Sequence, residues 1–127
     1  MKKNVITFGF VLVALTLFSF TQSTKLNTKQ NNPDPALIAK GKKLFTAKTC
    51  VSCHKETTKL VGPSLQTIAK TYKAKNASLL KFFKGESKAI VDPAMAAIMA
   101  ANVQTITKPM NDGDLKALEA YIMSTTK

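Results

Sequence analysis

Both cysteines and the one histidine of this chain lie within residues 50–54, which read CVSCH. Thiol and imidazole groups supply most of the soft metal ligands and redox groups that proteins use. No residue outside this segment offers either group, so chemistry of this kind is confined to one short stretch. The fold must therefore be arranged around residues 50–54.

Three common uses of a cysteine pair fit this segment poorly. A disulfide between Cys50 and Cys53 would close a very short loop, so it would remove little chain entropy and would leave His54 without a role. A thioredoxin-like pair is expected beside a βαβ unit, and the sequence shows no alternating strand pattern. A structural zinc site takes four ligands, and no distant cysteine or histidine completes one.

The sequence Cys-x-x-Cys-His is instead the attachment motif of a c-type haem. Two thiols at this spacing can add to the two vinyl groups on one edge of the porphyrin, and the next residue brings its imidazole under the iron. We therefore predict one haem c, with thioethers from Cys50 and Cys53 and with His54 as an iron ligand.

The N-terminal residues predict two segments outside the folded domain. Lys2 and Lys3 precede a mostly apolar run, residues 5–20, which is typical of an export signal and short for a membrane span. We predict a signal peptide over residues 1–23, with retention as an uncleaved membrane anchor as the alternative. Residues 24–34 are polar and predict a flexible linker. The remaining residues, 35–127, form one domain in the periplasm, either free or tethered to the membrane.

Four segments of the predicted domain have the apolar spacing of α-helices. They are a helix that starts at Pro35 behind a capping Asp34, residues 64–72, residues 78–84 before Gly85, and a last helix capped by Asn111 or Asp112. Gly41 lies among apolar residues of the first helix, which predicts that another backbone passes close by. We expect that backbone to be the last helix and the fold class to be all-α.

The chain resembles the small bacterial class I cytochromes c over most of the predicted domain. The resemblance rests on GKKLFTAKTCVSCHK, then LVGPSL, then a methionine-bearing segment, and finally DLKALEAYIMS. It implies a cytochrome c fold of about four to five short helices around one covalently attached haem. It also implies that the Pro63 carbonyl accepts a hydrogen bond from the second ring nitrogen of His54. The family's packing of first on last helix implies a contact of Gly41 and Phe45 with Tyr121.

The resemblance also implies a methionine as the sixth iron ligand, and several methionines follow the motif. We predict Met99, because it lies 45 residues beyond His54 and the residues after it supply a loop long enough to return to the last helix. Met110 is the alternative, although it stands directly before the predicted cap of the last helix and can pack there on Leu115. Met95, or no methionine at all, also stays open.

Histidine and methionine together saturate the iron, which favours a one-electron carrier over an enzyme. With no methionine bound, the open sixth position would suit a haem sensor or a catalytic subunit, and this alternative stays open. The chain has no arginine and no second histidine to serve peroxidase chemistry.

Positive charge predicts the kind of partner. The chain has 19 lysines against seven acidic residues, for a net charge of +12. Nine of the lysines crowd the region around the motif: Lys40, Lys42, Lys43, Lys48, Lys55, Lys59, Lys70, Lys73 and Lys75. We expect redox partners with acidic docking surfaces, such as a terminal oxidase, a reductase or a haem peroxidase. We expect no nucleic acid, because arginine and interleaved aromatic residues are missing. A membrane is a partner only if the N-terminal segment is retained.

Overall fold

The computed structural model describes residues 33–126, so the predicted signal peptide and most of the predicted linker lie outside the described residues. These residues form five α-helices: α1 (Pro35–Ala47), α2 (Leu65–Ala74), α3 (Leu79–Phe83), α4 (Ala96–Asn102) and α5 (Asp112–Ser124). Within the described range there is no strand, and one isolated antiparallel bridge joins His54 to Lys59. The all-α prediction is confirmed. None of the helices in this range is long and apolar enough to cross a bilayer.

Side-chain oxygens cap four of the five helices. The caps are Asp34, Ser64, Ser78 and Asn111, and each accepts a first-turn backbone N–H at 2.9–3.1 Å. Such a bond satisfies a donor that has no partner within the helix, which explains why α1, α2, α3 and α5 begin where the sequence predicts. α4 follows Met95 without a side-chain cap.

The tightest helix contact lies between α1 and α5. A Cβ atom at Gly41 would lie 2.6 Å from the Ala117 carbonyl carbon and 2.7 Å from the Tyr121 Cβ, so the two helices meet at a distance that only glycine allows. One turn further along α1, Phe45 packs edge-on against Tyr121, with ring centroids 5.5 Å apart and planes inclined at 64°. The predicted contact between the first and last helices is therefore confirmed.

The core is organised around α5. This helix contributes Leu115 and Leu118, which are fully buried, and α2 and α3 pack against it together with α1. From α2 the side chains of Leu65 and Ala69 are buried against it, and from α3 those of Leu79, Phe82 and Phe83. One side of this core is left facing the motif, where it becomes the wall of a cleft.

The prediction of a loop after Met99 is wrong. Met99 lies inside α4, and the chain continues into a π-helical turn, Val103–Thr107, before it reaches α5. Sequence periodicity missed α4 because its alanines provide little contrast between a buried and an exposed face, although alanine has the highest helix propensity. Val103 and Thr107 are buried at 2% and 5% exposure, so tertiary packing anchors the end of this segment.

We predict that Gly41→Ala destabilises the protein. Alanine improves helix propensity by about 1 kcal/mol, but the added methyl group overlaps the backbone of Ala117, and overpacking of this kind costs about 1–3 kcal/mol or more. A net loss of stability is expected, read as a lower denaturant midpoint at an unchanged m-value. Gly113→Ala is the matched control, because a Cβ there meets one side-chain atom, of Asn111, at 3.3 Å. Equal midpoints for the two variants would contradict the close contact.

Candidate functional site

A single apolar cleft brings the motif together with the second half of the chain. It is open to solvent and its lining is mostly apolar, which is typical of sites for organic ligands. Core residues Phe45, Leu65, Phe82 and Leu118 line it, and so do residues 89–92. A wall of this composition suits a large, flat, apolar group.

Cys50, Cys53 and His54 of the motif line this cleft. Cys50 opens a 3₁₀ turn, Cys50–Ser52, and its carbonyl accepts the N–H groups of Cys53 at 3.2 Å and of His54 at 3.0 Å. This compact turn puts both thiols and the imidazole on the cleft lining, and the two sulfurs are not bonded to each other. Burial raises the pKa of the Cys50 thiol above its ordinary value, so the protonated thiol is favoured.

The residue before the motif has an unusual backbone conformation. Thr49 has φ 59°, in the left-handed region that a β-branched residue rarely adopts. This conformation costs about 1–2 kcal/mol. Its carbonyl accepts the Ser52 N–H at 3.1 Å and the Ser52 hydroxyl at 2.7 Å, so the strained residue is part of the turn that carries Cys50.

The imidazole of His54 is held by the loop that follows it. Its Nδ1 lies 2.7 Å from the Pro63 carbonyl oxygen, and because a carbonyl only accepts, Nδ1 donates. In the neutral ring the other nitrogen, Nε2, then has a free lone pair that can bind a metal. The hydrogen bond between His54 and the Pro63 carbonyl, which the family resemblance implies, is therefore present.

Gly62 packs directly on the same ring, a contact that the sequence analysis missed. A Cβ atom there would lie 2.9 Å from Nδ1 and 3.0 Å from Nε2 of His54. The Gly62 N–H donates to the Cys53 carbonyl at 2.9 Å, so the backbone cannot easily withdraw. Glycine is required here by close approach, whereas in the sequence the pair Gly62-Pro63 is also typical of a simple turn.

The three candidate methionines are separated by the fold. Met99, on α4, lines the cleft and packs against the core, and Met95, at the end of a 3₁₀ turn, also lines the cleft. Met110 lines a different pocket, between the end of α1 and the start of α5, together with Thr49 and Asn111. The structure thus brings Met95 and Met99, but not Met110, to the cleft of His54.

Several polar residues that sequence reasoning did not assign to the site also line the cleft. They are Tyr72, Asp92, Asn102 and Thr107. Burial raises the pKa of Tyr72 to about 12, so its hydroxyl is neutral at physiological pH. Asp92 forms an ion pair with Lys59 at 3.4 Å, which links the loop after the motif to the segment before α4. Sequence patterns identified Tyr72 only as an apolar position of a helix, and the other three carried no signal.

The donor set matches an iron porphyrin better than a bare metal ion. Over residues 33–126 there is no group of three or more His, Cys, Asp or Glu side chains that could hold an ion. The cleft is instead lined by one imidazole, two thiols and two thioethers from the second half of the chain, among mostly apolar side chains. These are the groups that attach and ligate a haem.

Comparisons with known proteins agree with this chemistry. The family model described as Cytochrome c matches residues 38–126, well over half of the chain. A cytochrome c-551 from Stutzerimonas stutzeri is 47% identical over 45 residues, which cover 35% of this chain and 39% of that protein. The matched segment thus spans about two fifths of the curated relative.

We predict that Gly62→Ala disturbs the His54 ring. The new methyl group must push the imidazole or the loop aside, which costs about 1–3 kcal/mol of stability in the haem-loaded protein. Denaturant unfolding followed at the main haem absorption band measures this loss, and a shift of that band in the native state reports the altered iron ligand. Thr58→Ala, an exposed change in the same loop, is the control. A native spectrum and a stability equal to those of the control would show that the ring does not depend on Gly62.

Proposed function

Because this chain belongs to the cytochrome c family, whose cofactor is covalently bound haem c, we propose that it carries single electrons on an iron held by His54 and Met99. The observation that carries the proposal is that one apolar cleft collects both thiols of the motif, a His54 ring oriented through Nδ1, and Met99. The haem supplies the redox chemistry by cycling between ferrous and ferric iron.

Different residues of the chain hold the cofactor in different ways. Each thiol, of Cys50 and of Cys53, adds across one vinyl group, so that sulfur bonds to one vinyl carbon and the thiol hydrogen goes to the other. The Pro63 carbonyl keeps the His54 proton on Nδ1, which leaves Nε2 for the iron and increases the basicity of the ring. The apolar walls would shield the buried face of the cofactor from water, which favours the less charged ferrous state.

We propose Met99 rather than the other methionines because of its position in the fold. It is the candidate that both lines the cleft and packs against the core. Met95 lines the cleft one helical turn earlier and is not part of the core packing, which makes it the weaker candidate. Met110 lies in the other pocket. With Met99 and His54 both holding the iron, the haem would have a raised reduction potential and no free position for a substrate.

We also propose an exported protein that exchanges electrons with acidic partners such as a terminal oxidase, a reductase or a haem peroxidase. Support comes from the apolar N-terminal segment and from the lysines around the motif, all nine of which are exposed. Two of them are in ion pairs, Lys40 with Asp114 at 2.7 Å and Lys59 with Asp92. A positive surface of this kind attracts an acidic partner and speeds the encounter.

Substitution of single methionines tests the iron ligation. Met99→Ala should abolish the weak far-red sulfur-to-iron band of the oxidised protein and should allow rapid carbon monoxide binding to the reduced protein. Met110→Ala and Met95→Ala are matched controls and should keep the band. Loss of the band in Met110→Ala or Met95→Ala alone would reassign the ligand. Rapid carbon monoxide binding by the unmodified protein would favour an open-site sensor or enzyme over a carrier.

Salt tests the charge of the partner. We expect the second-order rate of electron transfer with an acidic redox protein to fall about tenfold or more between ~0.01 M and ~0.1 M salt, because the screening length shrinks from about 30 Å to about 10 Å. Lys55→Gln, next to His54, should lower the low-salt rate more than Lys116→Gln on α5. Stopped-flow absorption gives both rates. A rate that rises with salt would rule out acidic partners of this kind.

A further inference from the structure

The helix that carries Met99 ends in a wider turn than an α-helix. In the π-helical turn Val103–Thr107, the Lys108 N–H donates to the Val103 carbonyl, five residues earlier, at 2.9 Å. Such a turn contains one residue more than an α-helical turn. Because one residue corresponds to about 100° around a helix axis, the extra residue determines which face of α4 is turned toward the cleft.

Thr107 ties this turn to another helix. Its side chain is buried at 5% exposure, and its hydroxyl donates to the Phe83 carbonyl at 2.7 Å. Phe83 is the last residue of α3, so its carbonyl has no partner within that helix and depends on a donor from elsewhere. The same hydroxyl oxygen lies 3.4 Å from the Val103 carbonyl, inside the turn.

The contacts continue without a gap from Thr107 to Met99. The Val103 N–H donates to the carbonyls of Ala100 and Met99, and the Val103 side chain is buried at 2% exposure. Just after α3, Gly85 lies close to the side chain of Gln104, since a Cβ atom there would be 3.1 Å from its nitrogen, and α3 itself packs on the turn. A change at Thr107 is therefore transmitted to α4 through hydrogen bonds and packing that are already in place.

We propose that Thr107 is a positioning residue for Met99. Its hydrogen bond to Phe83 holds the π-helical turn, and the turn holds α4 in the rotation that presents Met99 to the iron. Without this bond the turn relaxes toward an α-helix, and Met99 rotates away from the cleft. The inference rests on the proposed ligation of iron by Met99.

Thr107→Val tests this directly, because valine keeps the shape and removes the hydroxyl. Imidazole is the probe, since it binds ferric iron only where it displaces the methionine. We expect Thr107→Val to bind imidazole about tenfold more tightly than the unmodified protein, the effect of a lost buried hydrogen bond, and to show a weaker far-red band.

Two variants separate the hydroxyl from other changes at the same place. Thr107→Ser keeps the hydroxyl and should bind imidazole like the unmodified protein. Thr105→Val removes a hydroxyl from the same turn, one that donates to Ala101 at 3.1 Å and is exposed, and should also leave imidazole binding unchanged. The proposal would be overturned if the imidazole affinity of Thr107→Val were within about twofold of that of Thr105→Val. It would also be overturned if Thr107→Ser raised imidazole affinity as much as Thr107→Val does.

The unmodified protein provides a second test that does not depend on the folding of a variant. If Met99 and the turn are coupled, displacement of Met99 by saturating imidazole must loosen the turn in return. Hydrogen exchange of the Lys108 N–H should then accelerate about tenfold. If imidazole abolished the far-red band but the exchange rate of the Lys108 N–H did not change, the coupling would be refuted and the ligation by Met99 would stand. A band that survives Met99→Ala would instead refute both the ligation and this inference.

Discussion

The contact between α1 and α5 is the constraint on which the position of the site depends. Gly41 lets the backbone of α1 approach Ala117, and Phe45 then packs against Tyr121. Cys50 follows the end of α1 by three residues, so the placement of α1 on α5 carries the motif to the edge of the core. Because α5 also contributes Leu118 to the cleft, one helix both positions the motif and forms part of the surface that faces it.

The two sides of the cleft are built differently. On the side of the motif, short-range bonds dominate: the turn from Cys50 to His54, the bond to Pro63 and the contact with Gly62 all lie within residues 50–63. On the side of α4, the bond from Thr107 to Phe83 joins residues 24 positions apart in the chain. A ligand on the first side is therefore fixed by its own sequence neighbours, and one on the second depends on how separate helices pack.

This difference explains which predictions succeeded. Helix starts after Asp34 and Asn111 could be predicted, because a cap needs only a suitable side chain a few residues from the N–H that it accepts. The close contact at Gly41 was predictable because glycine destabilises a helix interior, so a glycine on an apolar helix face indicates that a neighbouring backbone needs the space. The loop after Met99 was predicted wrongly, since the alanines of α4 form a helix without an apolar stripe and a π-helical turn has no sequence signature.

By itself the sequence determined the chemistry of the protein: the motif at residues 50–54 can hold a haem in one way, since covalent spacing and side-chain type are local properties. Chain spacing favoured Met99, but the sequence could not show which methionines reach the cleft, because Met95, Met99 and Met110 are chemically identical and differ only in their surroundings. Tertiary structure brings Met95 and Met99 to the cleft and places Met110 in another pocket. That separation depends on packing between residues far apart in the chain, such as Phe83 and Thr107, which no local pattern records.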